Sequence, residues 1–263
     1  MVEVCPLAPV IGDTLDGKYQ ITREVRRTGT GVVYEATERA GGGRVAVKTL
    51  LQATSGDGQL AARFRREARA AGALGSPRLP RVFDLGRTSK GLLYLVTELL
   101  AGEPLAALLS RTPQLPIPLA LNLMKQVLSG LAAAHQGGLV HRDLNPESIF
   151  IPSGQGQAEM VKILDFGVGR IVAVPGARPG APRLPGGAAG VLFGTPLYMS
   201  PELVRGLVTA ADQRTDIYSA GAIFYQLLCG VTPFQGEDLP RLLQDILEGT
   251  CPRPTVVSRN RQR

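Results

Sequence analysis

Tryptophan is absent, and phenylalanine and tyrosine bring the aromatic share of the 263 residues to only 5%. That is too little to interleave with basic residues as a stacking platform for nucleic-acid bases. The only cysteines are Cys5, Cys229 and Cys251, an odd number set far apart, which excludes a disulfide framework and the spacing of a zinc site. Two histidines, His135 and His141, are too few for a histidine-rich metal centre. No run reaches 18 consecutive apolar residues, and Met1–Val10 has no basic start ahead of an apolar stretch. The sequence therefore predicts neither a membrane span nor a secretory leader, and a cytoplasmic location.

Charge is the next constraint. Lys and Arg number 29 against 22 Asp and Glu, a formal balance of +7. The basic residues are scattered, with crowding only at Arg63, Arg65, Arg66 and Arg69 and in the tail from Ser258 to Arg263. A solvated helix face and a basic tail account for these, so neither nucleic acid nor a membrane is expected as a partner.

With 44% apolar residues the chain can build one large or two modest cores. No internal repeat is visible. Tyr19–Val25 alternates, Gly31–Tyr34 follows a turn-like Thr-Gly-Thr, and Arg44–Leu50 is rich in β-formers after three glycines, which predicts three antiparallel strands. A helix is predicted over Gln59–Leu74, then strands at Arg81–Leu85 and Leu92–Glu98. Beyond Gly102 the pattern turns helical at Leu105–Ser110, Pro118–Gln136, Ala211–Cys229 and Leu239–Glu248, with a short β-like region around Ser148–Ile151 and Val161–Leu164. Five strands with one helix, linked to a helix-rich half, make an α+β protein of two lobes with a cleft between them, where small ligands usually bind. Residues 1–18 read as a lead, 19–100 as the small lobe, 101–252 as the large lobe and 253–263 as a basic tail. Gly169–Phe193, rich in glycine and proline, has no periodicity and reads as a loop.

One ordered set of motifs carries chemistry: Val45-Ala-Val-Lys48, Glu67, His141-Arg-Asp143, Asp165-Phe-Gly167, Ser200-Pro-Glu202 and Asp216. In order and spacing the set resembles the signature of eukaryotic-type protein kinases, with the phrasing of bacterial serine/threonine kinases at Leu131–Asp143 and Gly194–Glu202. The resemblance covers about Tyr19 to Glu248. It implies a two-lobed kinase fold, ATP and Mg²⁺ as cofactors, and transfer of the γ-phosphoryl to serine or threonine of a protein substrate. Lys48 would hold the α- and β-phosphates and Glu67 would hold Lys48 by an ion pair, while Asp165 would ligate Mg²⁺ and Asp143 would take the substrate hydroxyl's proton. The adenine would lie between Val25, Val33 and Ala46 above and Phe150 below, beside Thr97, with the Glu98 carbonyl and the Leu100 amide on its edge. His141 and Phe166, with Ala71 and Val82, would align the lobes. Asp216 would brace the catalytic loop, and His135 reads as a satisfied core histidine.

The family pattern is broken in four places. Its G-x-G-x-x-G turn falls on Arg26, Thr28 and Gly31, so only Gly31 keeps a backbone free to approach phosphate. The catalytic loop reads His141-Arg-Asp-Leu-Asn-Pro-Glu-Ser148 against H-R-D-L-K-P-x-N. Asn145 thus stands for the lysine that steadies the transferring phosphoryl, and Ser148 for the asparagine that helps to hold the second Mg²⁺. Val168–Gly194 has no Ser, Thr or Tyr to phosphorylate, and the first hydroxyl, Thr195, belongs to the family's substrate site. Finally, the family continues through two further helices, one carrying an arginine for the glutamate that matches Glu202, so the large lobe is expected to be incomplete, the sequence being either cut short or frameshifted or its bare face covered by another chain. Reduced turnover is expected, the other reading being a pseudokinase that binds nucleotide as an interaction module.

Overall fold

The structure is a computed structural model that describes residues 9–28, 31–50, 58–88, 91–153, 160–166, 196–207, 211–236 and 238–261, with the backbone alone at 58–64, 67 and 258–261. The small lobe is one antiparallel sheet of six strands in the order β1-β2-β3-β4-β6-β5. These are β1 (Thr14–Leu15), β2 (Tyr19–Thr28), β3 (Gly31–Glu38), β4 (Arg44–Leu50), β5 (Val82–Arg87) and β6 (Leu93–Glu98), with helix α1 (Gly58–Ala73) between β4 and β5. Alternation does the sorting on β2. Tyr19 and Ile21 point inward and are buried, whereas Gln20 and Thr22 are exposed. The inward side chains meet Val32, Tyr34, Val47 and Val96 from the neighbouring strands in one apolar cluster.

Gly31 is glycine for a reason internal to this sheet. A Cβ there would lie 1.9 Å from the Thr49 carbonyl oxygen on β4, and backbone cannot yield as a flexible side chain can. Gly31→Ala is expected to destabilise the fold by about 2–3 kcal/mol through overpacking, read from urea unfolding; a loss below about 0.5 kcal/mol, within the range of neutral surface changes, would refute this account.

The large lobe begins with β7 (Gly102–Pro104), α2 (Leu105–Arg111) and α3 (Ile117–Gln136). β8 (Ile149–Pro152) and β9 (Lys162–Ile163) join β7 in a three-stranded sheet beneath the cleft. A 3₁₀ turn (Pro196–Tyr198), α4 (Pro201–Val204), α5 (Gln213–Cys229), α6 (Leu239–Glu248) and α7 (Pro254–Arg261) complete it. α3 is 20 residues long and holds an 18-residue stretch of mean hydropathy 1.3, enough by length and composition to cross a membrane. Its apolar residues also recur at helical spacing, and Ala120, Leu123, Val127, Leu131 and Ala134 are buried in the core with Ile223 and Leu227 of α5. α5 is capped at both ends. The Asp212 side chain accepts from the Arg214 amide at 2.9 Å, and Gly230 takes the left-handed conformation at φ 72°.

Two expectations for the C-terminal part change. The stretch 253–263, expected as a tail, contains α7, which starts at Pro254 and is in contact with α5. Proline's fixed φ and missing amide suit a first helical turn, and the density of basic residues masks that signal. Glu202, expected to want an arginine, instead accepts a 2.5 Å hydrogen bond from the Thr215 hydroxyl at the start of α5. Burial pushes the Glu202 carboxyl up, but the Thr215 and Ser200 hydroxyls and its own amide hold it below its ordinary value.

Candidate active site

Between the lobes lies a cavity of about 290 Å³. Its roof comes from β2–β4, because Val33 stands opposite Lys48 across β3 and β4 while Ala46 stands opposite Thr97 across β4 and β6. Val25, Val33 and Ala46 line it from above and Phe150 of β8 from below. Thr97, Glu98 and Leu100 form its inner edge. The Glu98 carboxylate is turned away to Lys162 at 2.5 Å and to the Arg81 amide at 2.9 Å. The Leu100 amide has no hydrogen-bond partner among the described residues, and so is open to an acceptor on a flat apolar ligand. All the adenine-side residues read from the sequence therefore line one cavity, whereas Gly31, read as the remaining glycine of the phosphate turn, does not.

At the inner end Lys48 Nζ lies 2.7 Å from Asp165 Oδ1, with the lysine side chain 7% exposed and the aspartate 25%. Burial pushes the Asp165 carboxyl up, but the adjacent Lys48 ammonium outweighs it and holds the group below the usual carboxylate range. Asp165 also sits at φ 67°, a conformation costly for a residue with a Cβ and typical of functional sites. Glu67 lies on α1, but its side chain is outside the described residues; among the described residues the ion pair at Lys48 is the one with Asp165. An ionised, partly exposed carboxylate beside the cavity fits a hard cation such as Mg²⁺, which takes one or two carboxylates and completes its shell with phosphates and water.

The catalytic-loop residues are arranged differently from expectation. Asn145 is turned back on its own loop. Its Nδ2 donates to the Asp143 carbonyl at 2.9 Å and to Asp143 Oδ1 at 3.3 Å, while its Oδ1 accepts from the Glu147 amide at 2.9 Å. Ser148 is buried as well. Its hydroxyl donates to the Asn145 carbonyl at 2.8 Å and accepts from the Asn145 amide at 3.1 Å. Asn145 is thus a positioning residue for Asp143, and Ser148 closes the turn; a shorter arm engaged twice in the loop does not reach out as the metal ligand that the resemblance implied. Burial pushes the Asp143 carboxyl up to about 6, against the pull of the His141 charge and the Asn145 amide. Gly167, Thr195 and the whole segment without hydroxyls between them lie outside the described residues.

Asp216 of α5 fixes the loop from below. Fully buried, its carboxylate accepts the amides of His141 at 2.8 Å and Arg142 at 2.7 Å, and lies 2.7 Å from His135 Nε2. Arg142 is held at φ 65° by this grip. His141 Nε2 lies 2.8 Å from the Leu164 carbonyl, and its ring meets Phe166 edge-on at 4.8 Å between centroids. Ala71 and Val82 belong to the same cavity wall as Phe166.

This arrangement can be compared with known proteins. The model of the protein kinase domain matches residues 19–259. The chain belongs to the protein kinase family. It is 36% identical over 245 residues to the serine/threonine-protein kinase pkn3 of Myxococcus xanthus, covering 93% of this chain and 44% of that protein. To PknL of Mycobacterium tuberculosis it is 37% identical over 257 residues, 98% of this chain and 60% of PknL. It thus spans about half of the length of the curated relatives that it matches. The crystal structure of the M. tuberculosis PknI kinase domain, in a form with one cysteine changed to alanine, superposes with a TM-score of 0.70 at 24% identity, over 97% of this chain and 86% of that one, a likeness of fold.

Within this kinase domain, sequence reasoning missed one contact across the cleft. Arg26, at the first glycine position of the family's turn, donates from Nη1 to the Glu147 carbonyl at 3.1 Å and lies 3.5 Å from the Glu147 carboxylate. The partners are 121 positions apart, and no local pattern joins them. Thr28, at the second glycine position, is turned into its own hairpin, where its hydroxyl bridges the amide and carbonyl of Gly31 at 3.1 and 3.0 Å.

Proposed function

We propose that the domain transfers the γ-phosphoryl of Mg-ATP to serine or threonine of protein substrates. The observation that carries this reading is the continuity of one cavity from an apolar slot with an open hinge amide to the Lys48–Asp165 pair. An aromatic base fits the slot, and the polyphosphate would extend towards Lys48. When bound, Mg²⁺ would lie at Asp165 and draw charge from the phosphate oxygens. Asp143, oriented by Asn145, would take the proton of the acceptor hydroxyl as its oxygen bonds to the γ-phosphorus and the bond to the leaving β-phosphate oxygen breaks. Because Asn145 and Ser148 are folded into their loop, that step relies on fewer stabilisers than the family pattern provides. Losing one preorganised donor costs about 10²–10³ in rate in other enzymes, so slow turnover is part of this proposal. The same observation favours a second reading, a nucleotide-binding pseudokinase that acts as an interaction module. A protein partner on the large lobe is also proposed, seated where Ile217 of α5 is half exposed.

The nucleotide step can be tested directly. Millimolar Mg-ATP is expected to raise the melting temperature of the wild type, at saturation by the mass action of about 2.7 kcal/mol at a hundredfold excess over Kd, and to leave Lys48→Met unshifted. Equal shifts in both proteins, or none in either, would overturn the assignment of Lys48 to phosphate.

A further inference from the structure

β2 and β3 slip register at one point that bears on the cleft. Glu24 stands opposite Tyr34 but Arg26 stands opposite Val33, so β2 advances two residues while β3 advances one. Val25 is the extra residue of a β-bulge. In a regular strand, successive side chains face opposite sides, and a bulge re-aims them. Here Val25 and Arg26 both line the cavity. The side chain of Arg26 is 21% exposed, whereas those of its neighbours Arg23 and Arg27 are 63% and 47% exposed. A partly buried guanidinium aimed into a cleft by a bulge is a placed charge.

Among the described residues lining the cavity, only Arg26 and Lys48 are cationic. Lys48 is already paired at 2.7 Å with Asp165, so the less firmly held positive charge of the site is that of Arg26. Its two contacts are weaker holds, a carbonyl at 3.1 Å and a carboxylate at 3.5 Å that is itself 58% exposed. A guanidinium presents several donors in a planar fork suited to phosphate oxygens, and phosphate contacts of this kind are stronger than neutral hydrogen bonds.

We propose that Arg26 is a phosphate-contacting residue, its guanidinium held at the cleft mouth by Glu147 and passing to the terminal phosphates of a bound nucleoside triphosphate. The inference rests on the reading of the cavity as a nucleotide site. The hand-over exchanges an exposed ion pair, worth little in water, for contacts with a polyanion. Charge at this position would take over the work of approaching phosphate from the glycine backbone that residues 26 and 28 lack.

The test is calorimetric titration of the 263-residue chain with adenosine and with ATP, at fixed magnesium and salt, for wild type, Arg26→Gln and Arg26→Lys. The expected result is that Arg26→Gln weakens ATP about tenfold, which is about 1.4 kcal/mol, and changes adenosine by less than about twofold, with Arg26→Lys recovering part of the loss as a point charge without the fork. Equal effects of Arg26→Gln on ATP and adenosine, or no effect on either, would overturn the proposal while leaving the nucleotide site standing. Failure of the wild type to bind either ligand would instead overturn the nucleotide site, and this inference with it. A fall in melting temperature for Arg26→Gln with its preference for ATP over adenosine intact would make the Arg26–Glu147 contact a tether between the lobes and would likewise overturn the proposal.

Discussion

Asp216→Ala is expected to lower the melting temperature by on the order of 10 °C. The carboxylate is fully buried and meets three groups: the amides of His141 and Arg142 and the ring of His135. Truncation strips all three at once, and each buried donor left unsatisfied costs about 1–3 kcal/mol. The groups share one acceptor, so the losses do not simply add; about 3–5 kcal/mol in total is expected, and a chain of this size shifts by about 2–4 °C per kcal/mol. Arg142 would also lose what holds it at φ 65°, so the catalytic loop should loosen before the rest of the lobe. Asp216→Asn, which keeps an acceptor oxygen but turns an NH₂ towards a donor, should fall between. Calorimetric melting checks the series. A loss below about 1 kcal/mol for the alanine variant would mean that the loop's amides find other partners, and that Asp216 is not its brace.

Phosphoryl transfer is expected to rise about tenfold between pH 5 and pH 7. Burial raises the Asp143 carboxyl to about 6, and only the ionised form can take a proton. A group with that pKa is about one-tenth ionised at pH 5 and about nine-tenths ionised at pH 7. The same shift works against the fold in the opposite sense. The folded chain holds this proton more tightly than the unfolded chain does, so the stability contributed by Asp143 is lost as pH rises from about 4 through about 6. Rate and stability should therefore run in opposite directions across this window. The profile of kcat/KM against pH reports the group in the free enzyme, and the residual rate of Asp143→Asn should lack the rise. A wild-type profile flat from pH 5 to pH 7 would show that this carboxyl is not the base.

Much of this architecture is legible in the sequence because alternation and helical periodicity act locally. Arg44–Leu50 and Leu239–Glu248 are read with both ends as they stand in the structure, since glycines or a helix-starting proline mark their boundaries. The two-residue β1 and three-residue β7 are too short for any period and exist only through pairing. The site is legible where an ordered motif brings residues to one place, as Lys48 comes to lie beside Asp165 and Asp216 beneath the loop that carries Asp143. It is not legible where a side chain chooses between partners. Asn145 and Ser148 occupy the positions of outward-reaching groups, yet short side chains satisfy the nearest backbone first. Gly31 survives in a phosphate-binding pattern, yet the Thr49 carbonyl is what demands it. Glu202 finds a hydroxyl 13 residues on rather than a distant arginine. The direction of Arg26 depends on a register slip that only the folded sheet reveals.

The most direct test of phosphoryl transfer in this cleft is incubation of the chain with Mg-ATP labelled on the γ-phosphate and a generic basic protein, wild type beside Asp143→Asn, followed by measurement of label on serine and threonine. The wild type is expected to incorporate label slowly, and Asp143→Asn at least about 10²-fold less, the usual worth of a positioned general base, while both bind nucleotide alike. Equal incorporation by the two proteins, or none by a wild type that demonstrably binds Mg-ATP, would contradict the catalytic reading and leave a nucleotide-binding module in its place.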